Sequence, residues 1–398
     1  MKIKKSKIFM YLILIPFFEP SLFIQNNMID QLYFIGSLVG MSWAILFLLQ
    51  KGHYTKKSNF FPLLTILGMN IALGISTFVN GGDITYNLKK LILDIGYLLI
   101  VGILIRKNLY DFTDTILNIW IVIALINMWS LFSFYETGMF TGDDGMIQYF
   151  WSVDNHFVSL LISMVFMAFY KDAVFRKNKT SIKSIVVLGI AVATLVKAWS
   201  ATSLIGMTIF LSGLIIQKSG MKLPEFIKKR FLIFFAIVIN LSVVLYNSQE
   251  HFSGLLNFLG KDATLSLRTR IWEYALTIIS THTLLGLGSP GAFGIGGWFY
   301  HPFQGNLFMH NEFLELWVDG GIFAVIFFIL FLMGPLLLRK KYRRDNTSTL
   351  LVSFLAACYI MMVTETLTPR NPIFAVIMIT YYEYTRDQHK EVLIHNER

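Results

Sequence analysis

Along this chain the apolar residues neither alternate nor keep to one helical face; they run in near-continuous blocks separated by short polar breaks. A helix needs about 20 mostly apolar residues to cross a bilayer. Twelve blocks approach that length: 8–24, 31–50, 60–79, 88–105, 112–134, 154–170, 183–199, 201–217, 230–247, 316–338, 349–367 and 371–385. Hydrocarbon offers no water to bare backbone groups, so each block is expected as a helix. The pattern predicts an all-α polytopic membrane protein with about 12 transmembrane helices in a single membrane domain, 1–398. The long polar interruption at 248–315 is expected as a large loop between the ninth and tenth spans, carrying short surface helices. Met1 to Lys7 followed by Ile8 to Phe18 imitates a signal peptide. No small-residue cleavage site follows, so this stretch is read as a retained first helix.

Composition sharpens the picture. The 398 residues are 55% hydrophobic and only 15% charged, too little charge to solvate a globular surface. A net charge of +10 invites a nucleic-acid reading, yet the basic residues sit in short clusters between apolar runs and form no continuous face. No nucleic-acid partner is expected. Loops that stay in the cytoplasm retain Lys and Arg. With the N-terminus inside and twelve spans, 27 of the 34 Lys and Arg residues fall on inner segments. Both termini are therefore expected in the cytoplasm and 248–315 on the outer face. Cys358, the single cysteine, lies in an apolar run and excludes a disulfide framework or a Cys-based metal site.

The seven outer-side cations oppose the insertion bias and so invite a reason: Lys89, Lys90, Lys197, Lys261, Arg268, Arg270 and Arg370. Lys90 and Asp94 are spaced to neutralise each other on one helix. Lys197, beside Trp199 near the outer end of its block, either snorkels to the interface or binds an anion. Arg370, after Pro369 in a short turn, is an interfacial anchor or a substrate contact. The shorter outer loop, from Tyr135 to Val153, carries Asp143 and Asp144; with Asp154 these carboxylates suggest a cation site, but Gly142-Asp143-Asp144-Gly145 reads better as ordinary turn chemistry. Asp154, Asn155 and His156 follow it.

Within 248–315, Ile271, Tyr274, Ala275, Ile278 and Ile279 have the spacing of a short surface helix. Arg268 and Arg270 fall at its start, where exposed N–H groups and two guanidiniums favour a phosphate or pyrophosphate; pairing with Glu273 or lipid headgroups is the alternative. Gly286-Leu287-Gly288-Ser289-Pro290-Gly291 matches a dinucleotide-binding pattern only formally, because no βαβ unit surrounds it. The glycines between Gly286 and Gly297 are expected to make tight turns or a mobile flap. His310 stands at a helix entry with Asn311 as a candidate cap and Glu312 and Glu315 in the first turns. An imidazole there is either structural or a general base for a sugar hydroxyl.

Arg268, Trp272 and Ala275, then Leu285-Gly286-Leu287-Gly288, then His310-Asn311-Glu312-Phe313-Leu314 resemble the signature of the O-antigen ligase and polymerase superfamily. The resemblance implies a membrane glycosyltransferase at the outer face of the bacterial cytoplasmic membrane, moving a glycan from undecaprenyl pyrophosphate to an acceptor glycan without metal or cofactor. It implies His310 as the base that activates the acceptor hydroxyl and Arg268 as the group that holds the pyrophosphate. Arg270, Lys197, Trp272, Asn311, Glu312 and Arg370 are the further substrate-binding candidates. Many members have an Arg after the Ser of a middle helix, whereas this chain has Ser200-Ala201-Thr202-Ser203; Lys197, one turn earlier, is the candidate replacement. The expected reading is a polysaccharide repeat-unit polymerase of O-antigen or capsule type. An O-antigen ligase with a lipid or protein acceptor, and a non-catalytic flippase for lipid-linked sugars, are the alternatives. The partners implied are the lipid-linked oligosaccharide, the acceptor and membrane lipids, with room for a chain-length regulator protein.

Overall fold

The computed structural model describes residues 5–50, 57–142, 146–220, 238, 268–289, 309–338, 346–367 and 370–396. Thirteen α-helices are described: α1 (Lys5–Leu14), α2 (Ser21–Ile24), α3 (Asn27–Gln50), α4 (Lys57–Val79), α5 (Ile84–Lys107), α6 (Leu109–Ser133), α7 (Phe157–Phe175), α8 (Ile182–Ala198), α9 (Ala201–Ser219), α10 (Arg268–Thr281), α11 (Glu312–Leu338), α12 (Asn346–Thr364) and α13 (Asn371–Asn396). A two-stranded antiparallel hairpin, β1 (Phe140–Thr141) and β2 (Ile147–Gln148), lies between α6 and α7. Seven of the described helices are long and apolar enough to cross a membrane, beginning at Asn27, Phe60, Leu109, Asp154, Ala201, Glu312 and Thr347. The protein is thus an all-α polytopic membrane protein. The block expected at 230–247 falls outside the described residues apart from 238, as do 248–267 and 290–308 of the expected outer loop.

The first expected span is broken. Pro16 and Pro20 each lack an N–H and cannot continue a helix, so α1 ends at Leu14, a 3₁₀ turn covers Ile15–Phe17, and α2 begins after Pro20. The groups freed by the break find partners elsewhere: Ser21 N–H donates to Trp151 O at 3.2 Å and Leu22 N–H to Phe150 O at 3.3 Å.

Burial separates helices that look alike as sequence. Every residue of α7 from Phe157 to Tyr170 is buried, which puts this helix at the centre of the bundle. In α3 only Ser37, Gly40 and Ala44 are buried, while Leu32, Ile35, Val39, Leu46 and Leu49 point outward. Apolar side chains are equally at home against lipid and against protein, so hydropathy does not distinguish the two helices.

One end of the bundle gathers lysines. Lys7 reaches Asp114 at 2.7 Å, Lys171 pairs with the same carboxylate, and Lys183 lies 3.5 Å from it. All three lysines belong to segments expected on the inner face. At the opposite end α11 is interrupted at Gly321, whose φ of 68° is left-handed. The carbonyls of Val318 and Asp319 then accept from Leu287 N–H at 2.6 Å and Gly288 N–H at 2.9 Å, and Ile322 N–H donates to Thr283 O at 3.0 Å. Helix-breaking backbone at membrane depth persists only when such partners are supplied.

Gly286 and Gly288 are themselves left-handed, and a Cβ on Gly286 would lie 2.4 Å from Val318 O. Ser289 N–H also donates to Thr77 Oγ1 at 2.8 Å, and Asn80 Nδ2 to Gly286 O at 3.2 Å. Residues Gly286 to Ser289 therefore form a docked clasp on α4 and α11. Of the two outcomes expected of these glycines, Gly286 and Gly288 make tight turns; Gly291 to Gly297 lie outside the described residues.

Candidate active site

The helix expected to begin near Arg268 is α10. Its apolar face, Ile271, Trp272, Ala275 and Ile279, packs on Leu287, Met309, Leu314 and Val318, so the clasp and the start of α11 fix its position. Trp272 is fully buried and its indole donates to Met309 O at 2.8 Å. Met309 precedes His310, and Trp272 thus steadies the backbone that presents the imidazole.

His310 adopts φ 48°, a left-handed conformation that costs a non-glycine residue energy and recurs at functional sites. Directly after it, Asn311 caps α11: its Oδ1 accepts from Phe313 N–H and Leu314 N–H, each at 3.0 Å, and its Nδ2 donates to Val363 O at 2.9 Å. The cap expected from sequence is present, and it also ties the entry of α11 to the end of α12.

That end carries Glu365, which stands just past the last helical residue of α12, Thr364, within a block expected to run to 367. Glu365 is 1% exposed at its side chain, and its Oε2 lies 2.9 Å from Arg268 Nη2 and 3.5 Å from His310 Nδ1. Arg268 also donates through Nη1 to Thr364 O. Burial disfavours a charge on Glu365, but the close approach of His310 and the guanidinium of Arg268 outweigh it and hold the carboxyl below its ordinary range. Arg268 and His310 thus converge on one carboxylate that belongs to a third segment. Nδ1 is the ring nitrogen that faces the carboxylate, an arrangement that favours the Nδ1–H tautomer and leaves Nε2 to accept a proton.

His310 and Glu365 line a cavity of about 580 Å³. The same cavity is lined by the stretch between α6 and α7, with Tyr135, Gln148, Tyr149, Asp154, Asn155 and His156. Lys197 stands beside one of its lining residues: Nζ lies 4.0 Å from the ring centroid of Tyr135, a cation–π contact. Asp143 and Asp144 lie outside the described residues.

The remaining candidates are placed differently. Arg370 is 9% exposed and pairs with fully buried Glu312, Nη2 to Oε1 at 2.5 Å, with Nε donating to the same oxygen at 2.6 Å. Glu312 Oε2 also accepts from Leu367 N–H at 2.9 Å. Glu312, Arg370, Asn311 and Trp272 form the buried frame behind His310, so Arg370 is no interfacial anchor. Arg270 is exposed on α10. Arg268 bonds to Glu365 across 97 residues, not to neighbouring Glu273.

Two signals in the sequence pointed to what the reading missed. Glu365 is an ionisable residue inside an otherwise apolar block, which by default marks a functional position. Asp154, Asn155 and His156 are three successive polar residues at the mouth of an apolar block.

A bundle of membrane-length helices thus carries an imidazole, a carboxylate and a guanidinium in one cluster, of which the imidazole and the carboxylate line a cavity. A family model described as O-Antigen ligase matches residues 183–329, taking in Lys197, Arg268 and His310 and ending before Glu365. This match supports an O-antigen ligase- and polymerase-like superfamily of glycosyltransferase-type membrane enzymes, with lipid-linked oligosaccharide and acceptor glycan as the substrates that family implies. With the seven apolar helices it implies a multi-pass protein of the bacterial inner membrane. No curated protein and no solved structure matches the chain.

Proposed function

We propose that this protein transfers a glycan from undecaprenyl pyrophosphate to a hydroxyl of an acceptor glycan, and that it is a repeat-unit polymerase of O-antigen or capsule type. The observation that carries the reading is Glu365 bridging Arg268 and His310 at the wall of the 580 Å³ cavity. His310 Nε2 takes the proton of the acceptor hydroxyl as its oxygen bonds to the anomeric carbon. The bond from that carbon to the pyrophosphate oxygen breaks, and the lipid pyrophosphate leaves with the electron pair. Glu365 holds the imidazole in the competent tautomer and stabilises the imidazolium that forms, as a carboxylate does in a hydrolytic triad.

Arg268 spends donors on Glu365 and Thr364 O, yet a guanidinium has five N–H donors. Those that remain, with Lys197 beside the cavity-lining Tyr135 and Arg270 exposed on the first turn of α10, meet the negative charge that develops on the departing pyrophosphate. The reaction in this reading is metal-independent. Trp272, Asn311, Glu312 and Arg370 serve it by holding the entry of α11 in place. The loop with α10 and the cavity faces outward, and the lysine-rich end with both termini faces the cytoplasm, as the charge distribution requires.

Protein reconstituted in nanodiscs with an undecaprenyl-pyrophosphate-linked repeat tests the reading. A product ladder is expected from a polymerase; one transfer to a lipid or protein acceptor identifies a ligase. Unaltered lipid-linked substrate with either acceptor, in folded protein, overturns both.

A further inference from the structure

The lysine-rich end of the bundle carries more positive charge than its own carboxylates balance. Asp114, in the second turn of α6, is approached from three helices: by Lys7 of α1 at 2.7 Å, by Lys171 of α7, and by Lys183 of α8 at 3.5 Å. Asp111 is the second carboxylate within reach, 3.7 Å from Lys7, and its Oδ2 also accepts from Asn108 Nδ2 at 2.8 Å. Asp172, the sequence neighbour of Lys171, is turned instead to Ser181 N–H and Ser184 Oγ, which donate to it at 2.8 and 2.7 Å. Among the described residues the cluster thus sets three ammonium groups against two carboxylates, a surplus of one positive charge. Like charges held this close repel, so the arrangement gains from one further anion.

The cluster is open to such a ligand. All three lysine side chains are partly exposed, and an ammonium carries three N–H donors. Lys183 donates to Asn118 Oδ1 at 2.5 Å as well as to Asp114, and still has one left. The position selects a lipid as the source of the anion. Asp114 and Lys171 stand near the ends of two helices long and apolar enough to cross a membrane, the level at which headgroups lie. One face of α6 continues inward from the cluster: Asp114 and Asn118 are followed at the same four-residue spacing by Val122 and Ile126, with Leu125 and Trp129 beside them, all four exposed. An exposed apolar strip that begins one turn below a cationic cluster matches a phospholipid, with the phosphate at the lysines and an acyl chain along the helix.

We propose that Lys7, Lys171 and Lys183 bind the phosphodiester of one anionic phospholipid, whose acyl chain lies on the exposed face of α6. A phosphodiester with an uncharged headgroup, as in phosphatidylglycerol, brings the single negative charge that the cluster lacks. Phosphatidylcholine brings its own cation and leaves the surplus in place. The bound lipid ties α1, α6, α7 and α8 together at the start of α6, whereas Tyr135 of the cavity follows the other end of that helix. The site is therefore independent of the glycosyl-transfer reading.

Native mass spectrometry of the full chain released from detergent micelles counts bound lipid. The protein is titrated with dioleoyl phosphatidylglycerol and, separately, with dioleoyl phosphatidylcholine. Wild type should hold one phosphatidylglycerol about tenfold or more tightly than phosphatidylcholine, within what a few lysines at a membrane surface supply. Lys7→Gln combined with Lys183→Gln should remove that preference and leave the phosphatidylcholine affinity unchanged. Asp111→Asn keeps an acceptor for Asn108 and raises the surplus to two charges, so it should tighten phosphatidylglycerol by roughly fivefold, a gain that misfolding cannot produce. Equal affinity of wild type for the two lipids overturns the proposal, as does a preference that survives the double lysine change or fails to rise with Asp111→Asn. Displacement of the bound lipid by millimolar inorganic phosphate would give the lysines to a free anion and overturn the lipid assignment. A thermal melt of each variant verifies the fold.

Discussion

Arg268 and Glu365 lie 97 residues apart in the chain and 2.9 Å apart in space. The contact joins the first residue of α10 to the residue that follows α12, and His310 approaches the same carboxylate oxygen from the start of α11. Glu365 is thus the hinge of the group, and its charge orients the imidazole. Replacing it with Gln keeps the shape and removes the charge. We expect Glu365→Gln to lower the transfer rate constant roughly 100- to 10,000-fold, the range by which a positioned acid–base group contributes, with a much smaller change in donor binding. Quenched-flow or gel assay of product from a lipid-linked repeat measures it; a rate within a factor of two of wild type removes Glu365 from the mechanism.

Much of the framework was legible before the structure, and the reason is local. A membrane helix announces itself by a run of apolar residues, so the ends of α6, α7, α9 and α11 fall within a few residues of the expected blocks. Arg268 and His310 were visible as a cation and an imidazole in a polar loop. Glu365 was concealed because the block around it reads as apolar on average, and nothing in a linear pattern says that Thr364 ends a helix. The pairing of Glu312 with Arg370 depends on three segments meeting, which no spacing within one segment encodes. The docking of Tyr135 to His156 over the site depends on buried partners in α6 and α2, for the same reason.

Glu312 and Arg370 give a stability prediction that separates frame from chemistry. Both are buried, and removing one partner of such a pair leaves an uncompensated charge, at a cost of about 3–5 kcal/mol. Arg370→Met should therefore lower the thermal midpoint markedly in nanodiscs. Adding Glu312→Gln removes the orphan charge and keeps an acceptor for Leu367 N–H, so the double variant should recover most of the loss. A double variant no more stable than Arg370→Met contradicts the assignment of the pair to the frame.

The clasp at the break in α11 predicts a contrast between two glycines of similar φ. At Gly321 a Cβ would stand 2.0 Å from Leu284 O, whereas at Gly81, with φ 72°, nothing lies within 4 Å. Gly81→Ala carries only the left-handed backbone cost, about 1–2 kcal/mol. Gly321→Ala adds a clash with rigid backbone and should destabilise by clearly more, with loss of activity as α11 shifts beneath His310. Equal melting shifts for the two variants would show that the clasp yields to the new methyl group.

The depressed carboxyl of Glu365 makes one further claim, about pH. A carboxyl whose pKa is lower folded than unfolded adds stability that is fully present above the unfolded value, about 4.3 for Glu, and is lost as pH falls through the folded value. His310 and Arg268 supply that depression against the opposing effect of burial. The stability difference between wild type and Glu365→Gln should therefore be constant from neutral pH down to about 5 and shrink below about 4.3, as the wild-type carboxyl takes up its proton. In the Arg268→Met background the depression weakens, because one of its sources is gone, so the pH-dependent part of the difference should be smaller and its loss should be complete at a higher pH. Melting curves of the four proteins between pH 3 and 8 test this. A difference between wild type and Glu365→Gln that persists unchanged to pH 3 would mean that the pair draws its stability from packing, with the charge of Glu365 contributing nothing.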